Sequence, residues 1–401
     1  MIEGDRMTGG TQLWDPFDKA FIEDPFPTYA MLREERPVYH NEERGFYALT
    51  RWDDVVEANR DWATYSSAEG VDLDRTGSIF FGEGNIVEQD PPSHDIFRLV
   101  LTDFINPGFV RLQEEDVTRR VQELTDRLDG RSNVDFAGEY AMRLPLGVVC
   151  DLLGIDGSDH EWVFGRFVTM FERESGSTEI PQVALSAAAE VRDYLENELK
   201  SRRRGKGTGD LLSAIANGTV GDRPLTHLEQ VGMSTLVISA GITTTKNLLT
   251  NIFWYMARNP ELRSTVEERA ARYAQPMIEE FLRFDSPIQN SSRTAMTDVE
   301  LHGVTIPQGS TVTLVYGSAN RDPERFDDAD QLNVTRRVGK HMAFGGGVHL
   351  CIGAPLARLE AKIVLQHGLP QMKQFAMGGE PERVLKMNER GFESLPLVFD
   401  K

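Results

Sequence analysis

Between residues 110 and 285 apolar side chains recur at three- and four-residue intervals, the period of helices with one buried face. In "RLPLGVVCDLLGI" the recurrence runs through Leu144, Leu146, Val149, Leu152 and Leu153, and Cys150 among them reads as a small buried side chain. "AAAEVRDYLENEL" predicts another helix, and the cations of "KSRRRGK" (Lys200 to Lys206) suit the negative end of its dipole as a solvated turn. The longest apolar stretch, residues 231–257, predicts a core helix, because Lys246 and Asn247 interrupt it too early for a membrane span. Midway along it lies "SAGITTTKN", where a glycine and three β-branched threonines weaken the helix that the surroundings favour. Strand patterns occur in "GFYALTRWDDVV" and in "VELHGVTIPQGSTVTLVYGSA", where apolar and polar residues alternate around "HG" and "PQG" turns. A large helical body with a smaller β portion, no alternating βα units, no repeat and no linker predicts one mostly-α domain over residues 1–401.

Composition narrows the function. A net charge of −20 disfavours nucleic-acid binding, which needs a basic surface, while 40% hydrophobic and 26% charged residues are ordinary for a globular enzyme. Two cysteines, Cys150 and Cys351, do not make a disulfide framework, and the N-terminal residues carry no apolar run of signal-peptide type. The expectation is a cytoplasmic protein, monomeric, without a membrane anchor.

Chemistry concentrates in "FGGGVHLCIG", residues 344–353. Four glycines in ten residues let the backbone approach a large flat group, and the helix-forming "APLARLEAKIVLQHGL" follows at once. Cys351 therefore precedes a helix N-terminus, where exposed N–H groups and the positive dipole end favour a thiolate. Phe344, Gly345, Gly347, His349, Cys351 and Gly353 resemble the heme-binding motif F-G-x-G-x-H-x-C-x-G of the cytochrome P450 family. The resemblance implies that family's fold, mostly α with a smaller β portion and a long central helix over the distal heme face. It also implies heme b as cofactor, O2 as co-substrate and Cys351 as axial iron ligand, a thiolate whose electron density favours O–O cleavage.

Other segments resemble the family in the expected order. Glu280 and Arg283 in "EEFLRF" match the E-x-x-R pair, three residues apart on one helix face, and Arg336 of "LNVTRR" takes the place of the second arginine. These three would be structural. "QDPPSHDIFR" supplies His94 and Arg98, and "NSSRTAMTDVELHGVTIPQG" supplies Arg293; with His349 they would partner the heme propionates, beside Phe344, Gly345 and Gly353 of the loop. The implied substrate pocket takes Val237, Ile288, Gln289 and Phe392, with Ile79, Phe80, Phe81, Phe167, Met170 and Phe171 as aromatic or apolar lining, and "TGSIFFGEGN" as a lid. A compact apolar or aromatic substrate would suit such a pocket, with Gln289 orienting one polar group.

"SAGITTTKN" resembles the family's A-G-x-[D/E]-T-T. Ala240 and Gly241 would leave room for dioxygen, and Thr244 would help carry protons to it, with the helix opened locally at this point. The departure is Thr243, where the family usually carries an acid: a hydroxyl relays a proton but holds none in reserve. Water and hydroxyl chains, a polar group of the substrate, or peroxide in place of dioxygen would each answer this. Lys246 is expected to snorkel or to pair with a surface acid. With no flavin or iron–sulfur segment in the chain, electrons are expected from a separate ferredoxin and an NAD(P)H-dependent reductase, docking near Arg337, Lys340, Arg358 and Lys362. The leading reading is a monooxygenase acting by hydroxylation or O-dealkylation; a peroxide-driven oxygenase and a non-catalytic heme sensor are the alternatives.

Overall fold

The computed structural model describes residues 13–73, 82–102, 104–170, 180–204 and 209–400. The helices that matter for the site are α1 (Ser93–Thr102), α2 (Glu114–Asp126), α3 (Arg143–Leu153), α4 (His160–Met170), α5 (Gln182–Arg204), α6 (His227–Arg258), α7 (Pro260–Phe284) and α8 (Ala354–Ile363). Five strands form the main sheet in the order β1-β2-β5-β4-β3: β1 (Val38–Asn41), β2 (Phe46–Leu49), β3 (Tyr65–Ser66), β4 (Ser291–Ala295) and β5 (Thr311–Leu314). "GFYALT" does supply β2. The second predicted β region folds as a hairpin, Val299–Leu301 with Val304–Ile306, followed by β5. Its turn places His302 and Gly303 at φ 51° and 77°, the left-handed pair that matches the strand twist. β5 then runs parallel to β2, Thr311 beside Phe46, a pairing across more than half the chain.

Helix α6 is the spine. Thr226 and Glu229 cap its start reciprocally: the Glu229 N–H donates to Thr226 Oγ1 at 3.2 Å, and the Thr226 N–H donates to Glu229 Oε2 at 2.7 Å. Its 32 residues run unbroken to Arg258, so the expected local opening beside Thr244 is not found. The Thr244 hydroxyl does donate back to the Ala240 carbonyl, at 2.9 Å, but one such bond leaves the ladder intact. Gly241 has a packing reason to be glycine: a Cβ there would stand 2.7 Å from Val149 Cγ2 on α3. Lys246, 2% exposed, reaches Glu393 Oε2 at 2.6 Å, the surface-acid pairing expected of it.

The basic run, expected as a solvated turn, instead forms the last turn of α5 as far as Arg204 and is less solvated at Arg202 than expected. Arg202 is buried, binds Asp210 Oδ1 at 3.1 Å and donates to the Gly154 carbonyl, tying the end of α5 to the end of α3. Cys150 lies in the apolar core, where burial pushes its thiol up to about 12, as a packing residue.

Glu280 and Arg283 on α7 are both fully buried. Arg283 donates twice to the Glu280 carboxylate, at 2.8 and 2.9 Å, and Arg336 Nε donates to Glu280 Oε1 at 3.2 Å. Arg283 also donates to the carbonyls of Asn320 and Ala329, both at 2.8 Å, and to that of Gln331. Removing one partner of a buried pair leaves an uncompensated charge, at about 3–5 kcal/mol. Glu280→Ala is therefore expected to lower unfolding free energy by about that amount in a denaturant titration.

Candidate active site

The segment between the sheet and α8 carries Cys351. Its glycines matter at two places: Gly345 has φ 65°, and a Cβ on Gly347 would stand 2.4 Å from the Asn59 carbonyl oxygen. The Cys351 N–H donates to the Phe344 carbonyl at 3.0 Å, closing the loop, and Pro355 stands in the first turn of α8. The Cys351 sulfur lies deep in the protein yet is accessible, because it faces a cavity. Burial pushes its thiol up, opposed by the N–H groups of Gly353 and Ala354 and by the guanidinium groups of Arg98 and Arg358.

That cavity, about 380 Å³, collects most of the residues singled out from the sequence. Its wall includes Cys351, Phe344, Gly345, His349 and Gly353 from the loop, and Val237, Ala240, Gly241, Thr243 and Thr244 from α6. Ala240 is exposed in the middle of an otherwise buried helix because it faces this space. His94, Arg98, Arg293 and Ile288 complete the set. Among the described residues there is no group of three or more His, Cys, Asp and Glu that could hold a metal ion.

The nitrogen-bearing side chains form one cluster. His94 stacks edge-on against His349 with ring centroids 4.6 Å apart, and its Nδ1 lies 2.8 Å from Asp95 Oδ1 while its buried Nε2 has no partner. His349 Nε2 is 3.1 Å from Ser67 Oγ. Arg98 donates to the Leu350 carbonyl at 2.6 Å, and Arg293 to Ser291 Oγ at 2.8 Å and the Ser292 carbonyl at 2.6 Å. Burial and the neighbouring Arg293, His94 and Arg98 pull His349 down to about 3. Positive charge is thus concentrated where an anionic group would relieve it.

Four expected pocket residues face elsewhere. Ile288 bridges Glu389 as in an antiparallel pair, so successive side chains alternate: Ile288 and Asn290 line the cavity and Gln289 does not. Gln289 Nε2 donates to the Ser286 carbonyl at 2.7 Å, and its Oε1 lies against Gly317. Phe392 is 1% exposed, packed on Trp254 and under the Arg383 guanidinium at 3.9 Å, and belongs to the core. Phe167 and Met170 are core residues too, whereas Ile79, Phe80, Phe81 and Phe171 lie outside the described residues. The described wall is accordingly more aliphatic than aromatic, with Leu101, Val149, Leu236 and Leu248.

A second depression, about 690 Å³, lies against the same loop and shares Cys351, Arg98 and Phe344 with the cavity. Lys340 and Arg358 line it, but Arg358 is paired with Glu279 at 2.8 Å and Lys362 with Glu114 at 2.9 Å. The expected basic face is therefore partly neutralised. No described helix is long and apolar enough to cross a membrane.

Three acids that the sequence reading did not single out also line the cavity: Asp72, Glu360 and Glu389. Glu360 on α8 is fully buried with Oε2 unpartnered, and burial pushes its carboxyl well above the usual value. A raised folded-state value stabilises relative to the unfolded chain only below the ordinary Glu range, and the benefit is lost as pH rises towards the folded value. Glu360→Gln is thus expected to raise the melting temperature near neutral pH, with the gain shrinking to nothing below the ordinary Glu value.

Known proteins resemble this chain throughout. The model of the cytochrome P450 family matches residues 176–392. "Putative cytochrome P450 123" of Mycobacterium tuberculosis is 34% identical over 388 residues, 96% of each chain. "Beta-dihydromenaquinone-9 omega-hydroxylase" of Mycobacterium bovis is 32% identical over 397 residues, covering 95% of this chain and 77% of that one. The solved structure of the bacillaene polyketide synthase cytochrome P450 PksS of Bacillus subtilis superposes with a TM-score of 0.87 at 26% identity, covering 97% of this chain and all of that one. The chain belongs to the cytochrome P450 family, as a heme-dependent monooxygenase that uses dioxygen.

Proposed function

We propose that this protein inserts one oxygen atom from O2 into a compact apolar or aromatic molecule, by hydroxylation or O-dealkylation, with electrons from a separate ferredoxin and its NAD(P)H-dependent reductase. The observation that carries the reading is one cavity lined at once by Cys351, by Ala240 and Thr244, and by aliphatic side chains. Heme b bound there supplies dioxygen activation, which the side chains alone do not.

The residues fit that cofactor. Cys351 provides the thiolate, steadied by the N–H groups of Gly353 and Ala354 at the start of α8. The unpartnered Nε2 of His94, with Arg98, Arg293 and His349, matches the need of two buried propionates for donors. Phe344, Gly345 and Gly353 shape the loop that would lie along the ring. Ala240 and Gly241 keep the α6 wall low beside the oxygen space. The Thr244 hydroxyl, bonded to the Ala240 carbonyl, is placed to pass a proton into that space. Val237, Ile288 and Asn290 face the substrate volume, and Asn290, whose Oδ1 is buried without a partner, takes over the orienting role expected of Gln289. Lys340 and Arg358 sit where an acidic ferredoxin would approach Cys351.

The reduced protein under carbon monoxide is expected to show the red-shifted Soret band of a thiolate-ligated heme, and Cys351→Ala to lose it; a wild-type protein without that band overturns the cofactor assignment. Compounds that shift the heme spin state are expected to yield oxygenated product with ferredoxin, reductase and NADH. Product formed faster with hydrogen peroxide alone would replace this reading with the peroxide-driven one.

A further inference from the structure

Inserting one atom of dioxygen consumes two electrons and two protons: substrate, O2, two electrons and two protons give the hydroxylated product and water. Threonine hydroxyls relay protons but store none, so beside Thr243 and Thr244 on α6 another ionisable group on the same wall would feed the hydroxyl and water chain. Beyond the cationic cluster and Cys351, the described cavity wall offers Asp72, Glu360 and Glu389. Glu360 is fully buried and unpartnered at Oε2, and burial pushes its carboxyl well above the usual value, so it has no exposed partner to refill it. Asp72 is taken by Asn388, whose Nδ2 donates to it at 2.7 Å.

Glu389 differs from both. Asn247, one helical turn beyond Thr243 on α6, donates from Nδ2 to Glu389 Oε2 at 3.1 Å. The other oxygen, Oε1, accepts from Lys386 Nζ at 2.7 Å, and the Lys386 side chain is 18% exposed. The chain around it is fixed: the Gln289 N–H donates to the Asn388 carbonyl and the Arg390 N–H to the Pro287 carbonyl, both at 2.8 Å. Gly391 lets this segment meet the helix, since a Cβ there would stand 2.3 Å from Asn247 Oδ1. Lys246, beside Asn247, also bears on Glu389 and is tied to Glu393, whose side chain is 54% exposed. Cavity, carboxylate, ammonium and surface thus form a connected series.

We propose that Glu389 supplies the protons that the missing acid at position 243 would have supplied, passing them from Lys386 and solvent to the Thr244 side of the cavity. In each transfer an ammonium proton of Lys386 moves to Glu389 Oε1 and on to solvent in the cavity. Lys386 then regains a proton from bulk water, so one proton crosses and no electron moves with it. Burial raises the Glu389 carboxyl, but Lys386, Lys246 and Asn247 hold it below its ordinary value, so it rests ionised and ready to accept. The charged groups that act on it are Lys386 and Lys246, with Glu393 paired to Lys246 and Asp72 bound to the neighbouring Asn388.

This rests on the monooxygenase reading, and the thiolate band of the wild type tests that reading separately. The assay is NADH oxidation by the holoenzyme with ferredoxin, reductase and air, in H2O and D2O, with no organic substrate; uncoupled reduction of O2 to H2O2 also consumes two protons. Glu389→Gln is expected to keep the thiolate band, slow NADH oxidation about 10²-fold and enlarge the solvent isotope effect, and Thr243→Asp is expected to restore the rate in that background. The infrared C–O stretch of the carbon monoxide complex is expected to shift in Glu389→Gln, since a charge leaves the cavity wall. If Glu389→Gln loses heme, Lys386→Met, which keeps the carboxylate, is expected to slow the reaction likewise. An unchanged rate and C–O stretch in Glu389→Gln, or an unchanged rate in a heme-replete Lys386→Met, overturns the proposal.

Discussion

The Glu280–Arg283 pair is the fixed point from which the site is suspended. Both charges are wholly removed from water, so their mutual bonding has to be complete, and Arg283 spends its remaining donors on the carbonyls of Asn320, Ala329 and Gln331. Those carbonyls belong to the irregular chain leading to Cys351. Asn320 in turn accepts from the Met342 N–H at 2.6 Å, two residues before Phe344. A loop with four glycines has little stiffness of its own. Its position is borrowed from a buried ion pair on α7 and from the first turn of α8.

On the opposite side the same economy applies to α6. The helix does not open to make space; small side chains make it. Ala240 leaves the wall low, and Gly241 lets α3 press close through Val149, so the thin part of the wall is also firmly backed. The threonines then line the space without breaking the helix, because Thr244 satisfies its hydroxyl on the preceding turn.

Much of this was legible in the sequence wherever chemistry demanded particular residue types in a short window. The cysteine loop, the apolar central helix, the Glu280 and Arg283 spacing and the β2 run are local patterns, and local patterns survive folding. What escaped reading depended on which side of a backbone faces which neighbour. Gln289 and Asn290 are chemically close, yet one residue of offset beside the Ile288 bridge sends one to Gly317 and the other to the cavity. Phe392 looked like lining and became core, while Glu389, three residues earlier and not singled out from the sequence, became lining. The parallel register of β2 and β5 depends on closure of a loop too long for any window to register.

The clustered nitrogens around His94 and His349 have a consequence for biogenesis. The cations Arg98 and Arg293 face one cavity and repel each other, and a bound dianion turns that repulsion into cohesion. Folding and cofactor capture are then linked by mass action: a ligand at a thousand times its dissociation constant adds about 4 kcal/mol to the folded state. The concentration of free heme would therefore set how much of this chain persists as folded protein.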